Sequence, residues 1–437
     1  MAGSLITAFS ADYEEYLRDE SRVVGSADSI SFPTSEAEVI EVLREVAKLS
    51  AKVTVQGART GIVAGAVPQG GHVMNLSRMK SIGEVQAGPE PREGRIVVEP
   101  GAILSDIREK VDAQELFFPP DPTEPTASIG GMIASNASGA LTFYYGSTRR
   151  WVQSLRVVLA DGDLLRLRRG ENRARGRSFS LTTESGRRIE GRLPSYNQPD
   201  VKSAAGYFIA DDMDIIDLFI GMEGTLGIIT QAELCLISRP KAVHGLTVFL
   251  PSEDSAIKLV RAARGEAVDG IEPVAFKPAG IEFFSREALD LLRRMKSAYP
   301  AFEKIPPLRP EWDTAVYIEF HATSDDEAEE AVMAVMEQAA ALEASDEDTW
   351  YATAERELEP IKAFRHAVPE AVNLLIDERK RERPDITKLG TDMSVPDEHL
   401  ETVLTMYRQG ISENGLESVI FGHIGDNHVH VNILPNG

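Results

Sequence analysis

A single cysteine stands in this chain of 437 residues, and positive charge is scarce. Cys235 alone cannot close an intrachain disulfide or ligate an iron–sulfur cluster. Its setting, IITQAELCLI, marks it as a buried, inert thiol. Lysine and arginine number 46 against 69 aspartates and glutamates, a formal charge of −23. That balance excludes a nucleic-acid binder, because neutralising phosphates needs a net-positive face. No stretch offers eighteen consecutive apolar residues, and MAGSLITAFSADYEEYLRDE has no basic segment followed by an apolar one. No transmembrane segment is expected. The expected compartment is reducing and cytoplasmic, with peripheral contact at the inner face of the membrane through a partner as the open alternative.

Apolar residues make up 43% of the chain, and its length suits two domains of about 200 residues each. After a lead-in over residues 1–26, SFPTSEAEVIEVLREVAKL predicts a helix capped by Ser35 with Glu38 three residues on. Strands KVTV, HVMNL and RIVVEP and a helix near 103–111 follow, an alternation that predicts α/β layers. WVQSLRVVLADGDLLRLRRG predicts a hairpin around Asp161-Gly162, hence a mixed sheet. Nine arginines between Arg166 and Arg192 are expected on a solvent-facing excursion. From about Lys241 two strand-helix-strand sets predict a separate α+β domain with helices on one face of an antiparallel sheet. The boundary is expected near Arg239-Pro240.

Three loops carry the glycine. GARTGIVAG has glycines at 57, 61 and 65, which is neither the dinucleotide fingerprint nor a Walker loop. A strand that empties into it exposes several backbone N–H groups, a concavity suited to a diphosphate. FFPPDPTEPTASIGGMIASNASGA sets a rigid proline turn before small residues, and GMEGTLGIITQAEL opens a strand with Gly224 and Gly227. Three such loops point to one large ligand.

GARTG, PPDP with IGGMIASNA, EGTLGIIT and GHIGD, in that order, resemble the flavoproteins of the vanillyl-alcohol oxidase superfamily. More narrowly, the chain resembles their D-lactate dehydrogenase and glycolate oxidase D-subunit branch. The resemblance implies a PCMH-type FAD-binding domain of two α/β subdomains over residues 27–240. It also implies a ferredoxin-like α+β cap domain over 241–437. By motif, Gly57, Ala58, Arg59, Thr60, Gly61 and Gly65 would hold the diphosphate. Pro120, Asp121, Ser128, Gly130, Gly131, Asn136, Ser138 and Gly139 would line the flavin, with Glu223, Gly224, Gly227 and Ile229 as its other wall. Lys202 to Tyr207, KSAAGY, resembles a further stretch near the cofactor. The first loop has no histidine for covalent attachment, so FAD is expected to be held non-covalently, and His72 is expected to be structural.

The same resemblance implies oxidation of a D-2-hydroxy acid such as D-lactate or glycolate. A substrate carboxylate calls for a cationic fork. Arg365, ahead of VPEA, is the matching residue; Lys388 is a second contact, although the family lysine sits two residues closer to the aspartate. With one cysteine, electrons are expected to leave to a separate acceptor: an iron–sulfur subunit, an electron-transferring flavoprotein or quinone. The alternative is a non-catalytic flavin-binding or scaffold subunit.

The chain ends on FGHIGDNHVHVNILPNG, which holds three of its eight histidines. HVHVNIL alternates, placing His428, His430 and Asn432 on one strand face and Val429, Val431 and Ile433 on the other. A hairpin through IGDN makes His423 and His430 near neighbours, about 5 Å apart at Cβ, able to share a divalent ion such as zinc. In the family a third ligand and the presumed base come from a downstream Glu-His-Gly motif. The sequence stops before one, so the expectation is a chain given short of its natural end, or else one that lacks the base.

Overall fold

The computed structural model describes residues 4–88, 93–268, 270–353, 355–386 and 388–435, with backbone alone at 355 and 356. Residues 1–3 of the lead-in and 436–437 of the terminal stretch lie outside these. The chain divides into two compact units at Arg239/Pro240, but the second also takes up Gly139–Tyr145 and Pro199–Ser203.

In the first unit, β1 (Thr7–Ala8), β2 (Ser29–Ser31), β3 (Val53–Gln56) and β4 (His72–Asn75) form a sheet ordered β1-β2-β4-β3. Strands β2 and β3 lie parallel to β4, and β1 is antiparallel to β2. Helix α1 (Glu36–Lys48) makes the β2-to-β3 crossover. Ser35 Oγ accepts the Glu38 N–H, and the Glu38 carboxylate reaches back to Thr34 N and Oγ1. These bonds satisfy donors that a helix start leaves open. Val39, Val42, Leu43 and Val46 then fall on the buried face.

A second sheet opens with β5 (Gln86–Ala87) and β6 (Gly94–Val98). Then come α2 (Leu104–Asp112), β7 (Leu116–Phe117), α3 (Ile129–Ala134), α4 (Thr142–Tyr145), β8 (Val152–Val158) and β9 (Leu164–Arg168). A separate hairpin of β10 (Ser178–Thr182) and β11 (Arg188–Arg192), α5 (Ile216–Phe219) and the long β12 (Ile228–Ser238) complete the unit. Strand β12 pairs antiparallel with β6, β7 and β8. The β8–β9 hairpin turns at Asp161-Gly162, where Gly162 has φ +77°. The two expected subdomains each have their own sheet: parallel pairing stays in the first, which is the mixed one, and the second, which holds the Asp161-Gly162 hairpin, is antiparallel throughout. Two of the arginines expected on an exposed excursion are framework instead, Arg168 bridging to Glu233 on β12 and Arg169 to Asp217 on α5.

The second unit runs β13 (Ala242–Leu250), α6 (Glu253–Ala263), β14 (Gly280–Phe284), α7 (Arg286–Ala298), β15 (Thr314–Ala322), α8 (Asp325–Ala341) and β16 (Thr349–Ala352). It continues with α9 (Glu355–Lys380), β17 (Leu389–Gly390), α10 (Leu400–Glu413), β18 (Ser418–His423) and β19 (His428–Ile433). One antiparallel sheet results, ordered β16-β13-β15-β14-β18-β19-β17. Ser252, Ser285 and Ser324 cap α6, α7 and α8, each accepting a backbone N–H from the first turn.

Alternate strand residues face opposite ways. Leu246, Val248, Val316, Ile318, Phe283 and Ile420 pack with α6, α8 and α10. Phe249, Ala315, Tyr317, Phe284, Val419 and Phe421 pack with α7 and α9. The helices therefore cover both faces, not the one face expected from the sequence. The polar residues discussed next lie on the α7/α9 side.

Candidate active site and cofactor cradle

In the first unit the glycine loops meet. Strand β3 ends at Gln56, whose amide donates to the carbonyls of Tyr16 and Ala66, both at 2.7 Å, and so spans the loop that follows. A Cβ on Gly57 would lie 2.0 Å from Ser128 Oγ, which accepts the Ala58 N–H at 3.2 Å. That contact joins the first loop to the second. Gly61 and Gly65 are different, since a Cβ there would meet nothing within 4 Å. Packing does not demand glycine at these two positions, and the open space beside them leaves their backbone accessible to a ligand. A cavity of about 220 Å³ is lined by Val53, Thr54, Val55, Gly65, Gln69, Gly70, Glu223 and Gly224, drawing in the third loop. Arg59, Ala64, Asn136 and Glu223 all have positive φ, between +48° and +62°. Non-glycine residues held there store strain, which gathers at ligand-holding loops. Open glycines and strained backbone around a cavity are features suited to a phosphate-bearing ligand.

Other expected cofactor residues have nearer tasks. The Arg59 guanidinium stacks on Tyr16 at 4.3 Å and pairs with Glu15 at 2.9 Å, so its backbone is what it turns to the loop. Pro120 and Asp121 are pinned by Arg108, at 2.7 and 2.9 Å. Gly130 packs against Pro100, and Gly227 against Val157 and Val158, each too tightly for a Cβ. Ile229 is buried in β12 opposite Val157. Asn136 accepts the Arg149 N–H, while Gly139 belongs to the second unit. The KSAAGY stretch divides: Tyr207 bonds Thr225 in the third loop, and Lys202 clusters with the second unit. His72 is fully buried between Ser29 and Ser31, and burial pushes it down to about 4.

In the second unit, strand register builds a polar row on one sheet face. Tyr317 on β15 lies opposite Glu282 on β14, and His423 on β18 opposite His428 on β19. The His423 Nδ1 meets Glu282 Oε1 at 2.7 Å, linking the two pairs. His430 lies opposite Phe421, so the direct cross-strand partner of His423 is His428. Even so, the rings of His423 and His430 are 5.4 Å apart, and those of His428 and His430 only 4.6 Å. Gly422 permits this approach. At φ +128°, a Cβ there would lie 2.7 Å from His430 Cδ2.

A carboxylate that the sequence reading did not single out, Asp392, lies after β17 beside these rings. Asp392 Oδ1 lies 2.6 Å from His428 Nε2 and 3.6 Å from His430 Nδ1. Ligand atoms of Asp392, His428 and His430 lie within 4.8 Å of one another. The turn that carries these histidines is braced from α6: Arg264, at its C-terminal end, donates to the Ile424 carbonyl and, at 2.5 Å, to Asn427 Oδ1.

Burial pushes His423 well below its ordinary value, reinforced by the charges of Lys202, His428 and Arg365. Burial likewise depresses His430, with His423 and His428 adding to it. Both rings are neutral at pH 7, the form that ligates a metal or accepts a proton. A hydrogen bond to His428 holds Asp392 low. Burial pushes Glu282 up, opposed chiefly by Arg365 and Lys202.

Arg365 on α9 sets its guanidinium over the Tyr317 ring, 5.9 Å from its centre, and its charge reaches both Glu282 and Glu319. Lys388 instead donates to Asn373 on α9 at 2.9 Å. The lysine whose charge reaches Glu282, Asp392 and Asp426 is Lys202. Asn432 is buried between Val419 on β18 and Gly390 on β17. Sequence reasoning missed Glu282 and Asp392. The first had a signal, a lone carboxylate inside the apolar strand GIEFF.

Residues 27–168 match the FAD binding domain family, and residues 239–436 match the C-terminal domain of FAD linked oxidases. The two matches define a flavin-dependent oxidoreductase fold. The D-lactate dehydrogenase of Anaerostipes hadrus is 28% identical over 437 residues, 97% of this chain and 77% of that protein. The D-2-hydroxyglutarate dehydrogenase of Stutzerimonas stutzeri (strain A1501) is 27% identical, with 93% and 74% covered. Glycolate oxidase subunit GlcD of Bacillus subtilis (strain 168) is also 27% identical, with 92% and 72% covered. A solved alkyldihydroxyacetonephosphate synthase aligns with TM-score 0.66 over 99% of this chain and 78% of its own, at 16% identity, and so shows the fold alone. The chain belongs to the FAD-linked oxidases of the vanillyl-alcohol oxidase superfamily.

Proposed function

We propose that this protein is an FAD-linked dehydrogenase that oxidises a D-2-hydroxy acid to the 2-oxo acid and passes the electrons to a separate acceptor. The observation that carries this reading is the sheet face of the second unit. Two neutral imidazoles and the Asp392 carboxylate gather there, with Arg365 acting on the same buried Glu282. When bound, FAD supplies the acceptor for the two electrons that leave the alcohol carbon. The loops at Gly57–Gly65 and Glu223–Gly224 are the residues that hold it.

The rest falls to side chains of the second unit. Arg365 offers a planar fork to the substrate carboxylate. Asp392, His428 and His430 form a two-imidazole, one-carboxylate set of the kind that binds a catalytic divalent ion such as zinc and leaves a position open. Held by these residues, a divalent ion would supply a Lewis acid that orients the substrate and polarises its hydroxyl. The neutral His423 ring, fixed by Glu282, stands beside that set and takes the proton. These 437 residues contain no cysteine cluster to carry electrons onward, which supports an acceptor on another molecule. Burial pushes the Cys235 thiol up, in keeping with an inert residue. Among the described residues no helix is long and apolar enough to cross a membrane.

Anaerobic addition of D-lactate, glycolate or D-2-hydroxyglutarate to the purified yellow protein tests the proposal. Bleaching of the flavin by one of them is expected. An absorbance unmoved by a broad panel of D-2-hydroxy acids would leave a non-catalytic flavin subunit as the reading. Acid precipitation should release the flavin into the supernatant, because the first loop offers no histidine to bond it.

A further inference from the structure

One cation of the second unit has no role in the reaction described above. Lys202 lies in Pro199–Ser203, the piece of chain ahead of Pro240 that clusters with the second unit. Its amine is sealed from solvent and has no hydrogen-bond acceptor among the described residues. Asp426 Oδ2 stands 4.0 Å away, too far for a hydrogen bond. An ammonium carries three N–H donors, and burying them unanswered is costly.

Two further polar atoms of the same centre are buried without a partner among the described residues: Asp426 Oδ2 itself, and Nδ1 of His428, whose other nitrogen faces Asp392. A donor and two potential acceptors thus lie within one another's electrostatic reach at the Asp392, His428 and His430 set. The surroundings are acidic, since Lys202 is felt by Glu282, Asp392 and Asp426 together. An anion entering among three carboxylates has to be met by positive charge. Arg365 provides one cation, and its fork still leaves lone pairs of a carboxylate unfilled. The compact ammonium can take a single oxygen, which a planar fork does less well.

We infer that Lys202 is a substrate-binding residue, whose ammonium receives an anionic oxygen of the 2-hydroxy acid, or of the 2-oxo acid product, at the histidine centre. This assignment rests on the D-2-hydroxy-acid reading of the site. It differs from a structural role in that the amine answers to the ligand and not to the fold.

Oxalate, an unreactive dianion with the same adjacent oxygens, probes the assignment. It would be titrated by calorimetry into the FAD-loaded wild type and into Lys202→Met and Lys202→Arg, with the change in flavin absorbance as a second readout. Loss of one charged hydrogen bond predicts oxalate binding at least about tenfold weaker in the methionine variant. Partial recovery is expected in the arginine variant. The melting temperature of the ligand-free methionine variant should stay level or rise, because a buried, unanswered charge is gone. Should Lys202→Met yield no folded holoprotein, Lys202→Gln carries the same measurement. Binding within threefold of wild type in the neutral variant overturns the role of Lys202 and leaves the reading of the site intact. A wild type that binds neither oxalate nor any D-2-hydroxy acid overturns both.

Discussion

Replacing Glu319 by glutamine should destabilise the second unit by about 3 kcal/mol, the low end for removing one partner of a buried ion pair. Glu319 is 3% exposed on β15, between Tyr317 and His321. Its carboxylate accepts from the Tyr317 hydroxyl and meets His321 Nε2 at 2.8 Å, and the charges of Lys362 and Arg365 act on it. Burial pushes this carboxyl up, but the His321 bond and those charges outweigh it and hold the group well below the ordinary carboxylate range. The amide keeps the volume and loses the negative charge on which His321, Lys362 and Arg365 act. For a unit of this size the melting temperature should fall by roughly 6–12 °C. Urea unfolding followed by tryptophan fluorescence suits the measurement, since Trp312 and Trp350 lie in the second unit and only Trp151 in the first. The pH dependence gives a stricter check. A carboxyl depressed in the folded state adds stability that is present above its unfolded value, about 4.3, and fades as pH falls below it. The gap between wild type and Glu319→Gln should therefore be full at pH 7 and narrower at pH 3.5. A variant as stable as wild type at pH 7, or a gap that ignores pH, would refute this account.

Two other outcomes are expected. His72, pushed down by burial to about 4 from an ordinary 6.5, is neutral in the fold. The stability it permits is complete above pH 6.5 and declines as pH falls toward 4, by up to about 3 kcal/mol; His72→Gln should flatten that decline in a melting series, and an unchanged slope would count against it. Gly422→Ala would force a Cβ into the His430 ring at a positive φ, so zinc binding read by calorimetry should drop by at least about tenfold while the yellow colour stays, and zinc bound as tightly as in wild type would disprove the crowding.

The sequence made some of this legible. HVHVNIL alternates, so the pairing of a polar face with a valine face on β19 followed from period two. The glycine loops were visible as composition, and the contact of Gly57 with Ser128 confirms only that two of them meet. Asp392 was hidden because its tie to His428 depends on how the chain after β17 lies beside β19, which no local pattern encodes. Lys202 was hidden for a stronger reason: its neighbours Asp426 and Glu282 are 80 or more positions away. The helices on both faces escaped notice because strands buried on two sides read as continuous apolar runs, as in TVFL and AVYIEF.

The borrowed segments Gly139–Tyr145 and Pro199–Ser203 bear on how such a protein can be recombined. A graft made at Pro240, the point where a sequence comparison would cut, carries the histidines, Glu282 and Asp392 to a new host. It leaves behind Lys202, and with it Tyr145, whose hydroxyl bonds His321 at 2.7 Å. A swapped module would thus arrive without two of its own inner groups and meet whatever residues the host supplies there. Chimeras intended to exchange the second unit intact should move three pieces of chain together.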